Sequence, residues 1–379
     1  MKKLFLSLCV IMAVSYTFAQ KSNVSKAENL IMQETPDFKG AREAIKAALQ
    51  DETTKNDAKT YYIAGLIGQR ENEELVKLMM LKKDVDQMQK GKAIMESVQY
   101  LLKADSLDRL PNEKGKVKPR FSVKIKDTLK DFYVQQYNLI SYGATLYDNK
   151  NYKNAFNTFN TFLDIQKLPM MNNELKVDST YNMIKYYTAA AASNTDDHQA
   201  AIKLFTELKT EDFQPKNVYQ LLANEYLASK DTVNYITTLN DGFNKFKDEP
   251  WFLQNIINHY IFTNQIEKAL KYLDDAIAQS PNKAEYYAVK GNIEDRLGNS
   301  KNARASFEKA LSLDPNSAES YGGMGRVMFN QGVLILNDAI NIKDNKLYQA
   351  EKDKADKLFE RIDALSQKSD RIKSQRQRL

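Results

Sequence analysis

An all-α solenoid of helical hairpins is the fold this sequence predicts, on three observations. The first is an echo 34 residues long: Ala284-Glu285 returns as Ala318-Glu319, Tyr287 as Tyr321 and Gly291 as Gly325. Counting back by the same interval, Ala303 maps to Ala269, Ala310 to Ala276 and Pro315 to Pro281. A fixed period of this size marks helix-turn-helix units that bury their apolar faces only against neighbours. The second is proline placement. Pro169, Pro215, Pro250, Pro281 and Pro315 recur at intervals near the repeat length, where proline can start or separate helices but not interrupt them. The third is composition: 13 glycines and 8 prolines in 379 residues, with both charge signs interspersed.

The chain opens with Lys2 and Lys3, an apolar run from Leu4 to Val14, and Thr17-Phe18-Ala19. That order of charged, apolar and small residues predicts a signal peptide over residues 1–19, cleaved before Gln20. The apolar run is shorter than the ~20 residues a membrane-spanning helix needs, so no integral membrane segment is expected after cleavage. A leader ending Phe-Ala-Gln resembles those of Gram-negative Bacteroidetes, which makes the periplasm the expected location. Cys9 lies within the leader and is the only cysteine, so the mature chain has no disulfide, thiolate nucleophile or cysteine metal ligand. Removing Lys2 and Lys3 from the formal charge of +6 leaves +4, too little by itself to point to nucleic acid or anionic lipid.

Position by position, the repeats resemble the tetratricopeptide repeat family. Residues 284–317 carry Tyr287, Gly291, Ala303, Phe307, Ala310 and Pro315 where that family has bulky, small, Ala, aromatic, Ala and Pro. Only Glu294 departs, standing where a large apolar residue is usual. Residues 250–283 give Leu253, Ile257, Tyr260, Ala269, Leu273, Ala276 and Pro281; residues 216–249, 182–215 and 136–169 match less fully, and Asp37 to Ala48 reads as the second helix of a hairpin. The resemblance implies a right-handed superhelix in which small residues let paired helices approach and the aromatic fills the space beside them.

Two units are stretched. After Ala58, Tyr61 and Gly65 the expected Ala arrives 16 residues late, at Ala93; after Ala318, Tyr321 and Gly325, the residues Ala355, Phe359 and Ile362 resume the pattern 18 residues late. Such insertions predict longer hairpins that pack on themselves or, alternatively, protruding docking elements. The organisation expected is therefore residues 20–110 as hairpins with one lengthened unit, 111–131 as a basic linker or loop, 132–365 as the solenoid, and 366–379 as a frayed basic tail. The linker holds Pro111, Gly115 and Pro119 among Lys114, Lys116, Lys118, Arg120, Lys124 and Lys126. It reads as a solvated connection, or as a loop that contacts an anion such as lipid or glycan.

Signs of catalysis are sparse. His198 and His259 are the only histidines, neither with a second histidine at metal-ligand spacing. His198 follows Asp196-Asp197 in an expected helix cap, and His259 adjoins Tyr260 on a packed helix. Gly322-Gly323-Met324-Gly325 lies within a helical repeat rather than after a strand, so it is not a phosphate loop. No catalytic residue, metal or cofactor is expected.

What the resemblance implies instead is binding of a protein or extended peptide by a non-catalytic scaffold. Asn224, Asn258 and Asn292 share position 9 of three successive first helices, where the family often uses asparagine to hold a peptide backbone; the amide both donates and accepts. The same rule puts Gln220, Trp251, Gln254, Phe262, Glu285, Arg296 and Arg326 on the concave face. Gln220 stands where the family's two-carboxylate clamp wants lysine, so that clamp is not expected. The alternative function is binding of cell wall or glycan through the basic loop or aromatic tips.

Overall fold

The computed structural model describes residues 22–112 and 114–376, and the proposed leader with Cys9 lies outside them. Helix starts follow from short acceptor side chains at the N-caps. Residues 22–31 are helical (α1), and Asp37, Asp57 and Asp86 then cap α2 (Phe38–Gln50), α3 (Ala58–Met80) and α4 (Gln87–Asp108) by accepting from first-turn N–H groups. The next elements are α5 (Ser122–Val134), α6 (Leu139–Asp148) and α7 (Tyr152–Lys167), then a 3₁₀ turn at Pro169–Met171. Asp178 and Asp197 cap α8 (Ser179–Ser193) and α9 (His198–Thr210).

Pro215 and Pro250 take the first turns of α10 (Pro215–Ala228) and α12 (Pro250–Phe262), on either side of α11 (Thr232–Lys245). The remaining helices are α13 (Ile266–Gln279), α14 (Ala284–Arg296), α15 (Ser300–Leu313), α16 (Ala318–Ala339) and α17 (Asn345–Arg376). Pro281 and Pro315 fall in the turns before α14 and α16, and Asp314 accepts from Asn316 N at 2.9 Å to close the second of these turns. No strand occurs among the described residues. The chain is an all-α solenoid of antiparallel helix pairs.

Two compact units divide at Thr232 and Val233. In the first, one apolar cluster runs from Ile94 on α4 to Leu222 on α10, and a second joins α1, α2 and α3 through Ala27, Ile31, Ile45, Ile63 and Ile67. In the second, Phe307, Met324, Val327 and Met328 bury together under α17.

The stretched units prove to be long helices. The α3–α4 pair has 23 and 22 residues against 13 and 14 for α12 and α13. It is drawn together where Gly68 has no side chain; a Cβ there would meet the Ala93 carbonyl at 2.2 Å.

Two expectations are corrected. Residues 122–131 are not loop: Ile125, Leu129 and Phe132, spaced i, i+4, i+7, bury within the large cluster and make α5. The basic loop shrinks to the stretch between α4 and α5, and the core continues across it. Nor are residues 366–376 frayed. The last turns of α17 fold back over α16, where Ile372 buries against Ala318 and Tyr321 and Ser369 Oγ donates to the Ala318 carbonyl at 3.0 Å.

Candidate functional site: a groove along α12 and α14

On α12 the apolar residues Phe252, Leu253, Ile256 and Ile257 face the core, which leaves Gln254 and Asn258, one turn apart, on the opposite stripe. Helical spacing alone puts these two amides side by side. Across from them the first turn of α14 presents Glu285, with Tyr286 buried beside it. Between the two helices lies a groove of about 460 Å³. Its floor is Leu253, Ile257, Leu273, Tyr286 and Val289, and its rim is Gln254, Asn258, Glu285, Asp248, Pro250 and Lys283. Lys283 Nζ stands 3.5 Å from Asp248 on the surface, a contact of little energetic weight. Burial pushes the Tyr286 phenol upward, so it stays neutral.

The structure thus brings three sequence-predicted residues, Gln254, Asn258 and Glu285, into one groove. Among the described residues none of their side chains has a hydrogen-bond partner, so two amides and a carboxylate are free above an apolar floor. Asn292 differs. Its Nδ2 donates to Glu319 at 2.9 Å, and its Oδ1 accepts from Arg326 at 2.7 Å. Arg326 also pairs with buried Asp295 at 2.7 Å, so Asn292 and Arg326 tie α14 to α16. Trp251 is half-buried with its ring edge-on to Phe252, 5.2 Å between centroids, and does not line the groove. Phe262 is 87% exposed at the far end of α12, and Arg296 is exposed at the end of α14. Gln220 and Asn224 belong to the first unit, where Asn224 is exposed and Gln220 half-buried.

Sequence reasoning missed Asp248, Lys283, Tyr286 and Val289. Asp248 and Lys283 sit in the turns before α12 and α14, and turn residues carry no repeat signature. Tyr286 and Val289 flank the repeat positions and carried a helical-period signal.

The histidines serve structural ends. His198 Nδ1 lies 2.8 Å from buried Glu225, and Ser193 Oγ donates to the same carboxylate. The serine therefore addresses the acid and not the ring, the reverse of a nucleophile–base pair. His259 packs edge-on against Tyr235 and Tyr260, and burial lowers its pKa.

The repeat positions decide the fold. Gly291 on α14 and Gly323 on α16 both face the ring of Phe307 on α15: a Cβ would sit 2.9 Å and 2.3 Å from it. The aromatic thus occupies the slot that missing side chains create, as the consensus requires. The described residues have the tetratricopeptide repeat fold. In the last tetratricopeptide unit Gly325 faces Ile362 at an ordinary 3.8 Å, and the late aromatic Phe359 is met instead by Gly332, two turns farther along α16. The insertion is thereby shared between both helices, which stay in step.

Residues 198–317 match the family described as N-terminal acetyltransferase A, auxiliary subunit. The chain is 31% identical over 117 residues to human N-alpha-acetyltransferase 16, NatA auxiliary subunit, an alignment covering 29% of this chain and 13% of that protein. Among solved structures it is similar to a TPR repeats protein from Bacteroides fragilis, with 19% identity and a TM-score of 0.33 over 66% of this chain and 98% of that one. It is also similar to MamA, with 16% identity and a TM-score of 0.34 over 50% and 97%. YrrB, described as a TPR protein with an unusual peptide-binding site, gives 12% identity and a TM-score of 0.33 over 53% and 96%.

Proposed function

We propose that this protein is a non-catalytic adaptor that holds an extended segment of another protein in the α12–α14 groove, and that it works in the periplasm after export. The observation that carries this reading is the pairing of a hydrophobic floor with free amides at Gln254 and Asn258. An extended backbone offers alternating N–H and C=O groups, which a primary amide can satisfy whatever the side chains are. The floor takes an apolar side chain and Glu285 accepts from a donor near one end. The human relative's name, an auxiliary subunit, fits a chain that serves a partner. Export is supported by the order of charged, apolar and small residues over 1–19.

Photo-crosslinking residues placed at Gln254 and at Glu285, with exposed Lys271 on α13 as control, test both parts in cells of the native host. Protein adducts at the two groove positions and not at the control are expected, on protein released with the periplasm and beginning near Gln20. Adducts with peptidoglycan would establish the glycan-binding alternative. Equal adducts at Lys271 would remove the groove from consideration.

A further inference from the structure

The basic stretch between α4 and α5 is exposed to solvent, yet its backbone is fixed by hydrogen bonds. Its neck is closed by Asp108, whose buried carboxylate accepts from Phe121 N at 2.7 Å and from Arg120 N. Ser122 Oγ adds a bond to Asp105 at 2.7 Å, and the Phe121 ring stacks on Tyr62 with centroids 4.3 Å apart. Within the loop, Gly115 N donates to Asn112 O at 2.7 Å and Asn112 N to Lys116 O at 3.0 Å. The Asn112 side chain then accepts from Lys114 N and Lys116 N at 3.0 and 3.1 Å. Gly115 supplies the positive φ of +69° that this turn needs.

The cations divide into two sets. Arg109 pairs with Asp105, Arg120 with Asp108, and Lys126 with Glu174. Lys114, Lys116, Lys118 and Lys124 are exposed and form no ion pair among the described residues. Against them residues 109–119 contain one acid, Glu113. Beside these lysines stand three aliphatic side chains with no core role: Leu110 at 61%, Val117 at 53% and Val123 at 74% exposure.

We propose that this loop docks the protein on an anionic lipid bilayer, its lysines against the headgroups and Leu110, Val117 and Val123 entering the interface. Unpaired lysines on a fixed backbone gain from a negative surface without first being ordered. Exposed aliphatics gain from the acyl boundary and would gain nothing from a nucleic acid, which is gripped by phosphate contacts and aromatic stacking. The surface belongs to the first unit and the groove to the second, and they share no residue, so the adaptor reading and this one stand or fall separately.

Sedimentation of the full chain with vesicles of phosphatidylglycerol mixed into phosphatidylcholine, against pure phosphatidylcholine, tests it. Binding to the anionic vesicles alone is expected, weakening as salt rises. With each lysine worth about fivefold near such a surface, Lys114→Glu, Lys116→Glu and Lys118→Glu together should cost on the order of a hundredfold or more, since each change removes a positive charge and adds a negative one. Leu110→Ser with Val117→Ser should cost about tenfold with the charge unchanged. All these positions are exposed, so the thermal melt should not move, and that separates lost docking from lost folding. Equal binding to neutral vesicles, an unaffected charge variant, or tighter binding to an oligonucleotide that ignores the serine variant would each overturn the proposal.

Discussion

The α3–α4 hairpin of the first unit and the α14–α16 stack of the second both close on glycines, Gly68 in one and Gly291 and Gly323 in the other, but their polar ties differ, part-buried in the first and exposed in the second. Around α3 and α4 the polar ties add to that close approach. Arg42 on α2 reaches Glu71 and Glu96, with Nε 2.9 Å from the Glu96 carboxylate, Gln89 donates to Glu71 at 2.6 Å, and Lys90 buries completely to donate to the Tyr137 carbonyl. Around α15 the buried tie is a shape, the Phe307 ring seated where Gly291 and Gly323 lack side chains, and the polar links through Asn292 and Arg326 lie at the surface. Shape-held repeats need the same few residue types each time, so they echo in sequence. A polar tie can be built from many residue pairs, and each costs desolvation that a hydrophobic contact does not.

Truncating the shape-held tie should have the largest effect. Phe307 is fully buried, and Phe307→Ala empties a slot that flanking helix backbones cannot easily close. The expected cost is about 3–5 kcal/mol, read by chemical denaturation. Arg42→Ala, whose side chain keeps about a third of its surface in water, should cost about 1–3 kcal/mol. If the arginine costs as much as the phenylalanine, the contrast between the two regions collapses.

Lys90 sharpens the comparison through pH. Burial pushes its ammonium from the ordinary 10.5 down to about 8. Between those values the unfolded chain binds a proton that the folded chain does not, so the lysine's contribution to stability rises with pH across that window. At neutral pH it therefore weighs against folding, by up to roughly 3 kcal/mol. The difference between wild type and Lys90→Met should favour the methionine near pH 7 and swing toward the lysine as pH climbs to 10.5. Comparing the two proteins removes the effect of the tyrosines that titrate nearby in pH. A difference that stays flat across the window would mean that Lys90 is solvated, and the polar tie an ordinary surface contact.

The same division explains what was legible in the sequence. The hairpins, the lengthened units and the helix starts at Pro215 and Pro250 follow from period and backbone chemistry. Helix α5 was hidden, because Pro111, Gly115, Pro119 and the lysines dominate the region while Ile125, Leu129 and Phe132 supply only three apolar marks. The end of α17 was hidden too: Ser369 and Ile372 are buried by α16, a contact made across 51 residues for Ser369, and a basic composition gives no sign of it. For the groove, register placed Gln254, Asn258 and Glu285. It could not show that Asn292 is engaged, since its partners Glu319 and Arg326 arrive from the next repeat.

That engagement gives the finest test. Asn258 and Asn292 hold the same repeat position, yet only Asn258 lines the groove with its amide free. Asn258→Ala should therefore reduce adduct formation at a Glu285 photo-crosslinker by about fivefold, the equivalent of one hydrogen bond at ~1 kcal/mol. Asn292→Ala removes its bonds to Glu319 and Arg326, which are exposed, and should cost stability by less than about 1 kcal/mol while adduct yield holds. Asn224 is exposed like Asn258, and its amide likewise has no hydrogen-bond partner among the described residues. Changing all three to alanine should therefore weaken capture beyond Asn258→Ala only if the bound segment runs as far as α10. Should Asn292→Ala depress capture as strongly as Asn258→Ala, the bound segment takes Asn292 from Arg326 and Glu319. The position would then act through its place in the repeat rather than through its freedom in the unbound protein.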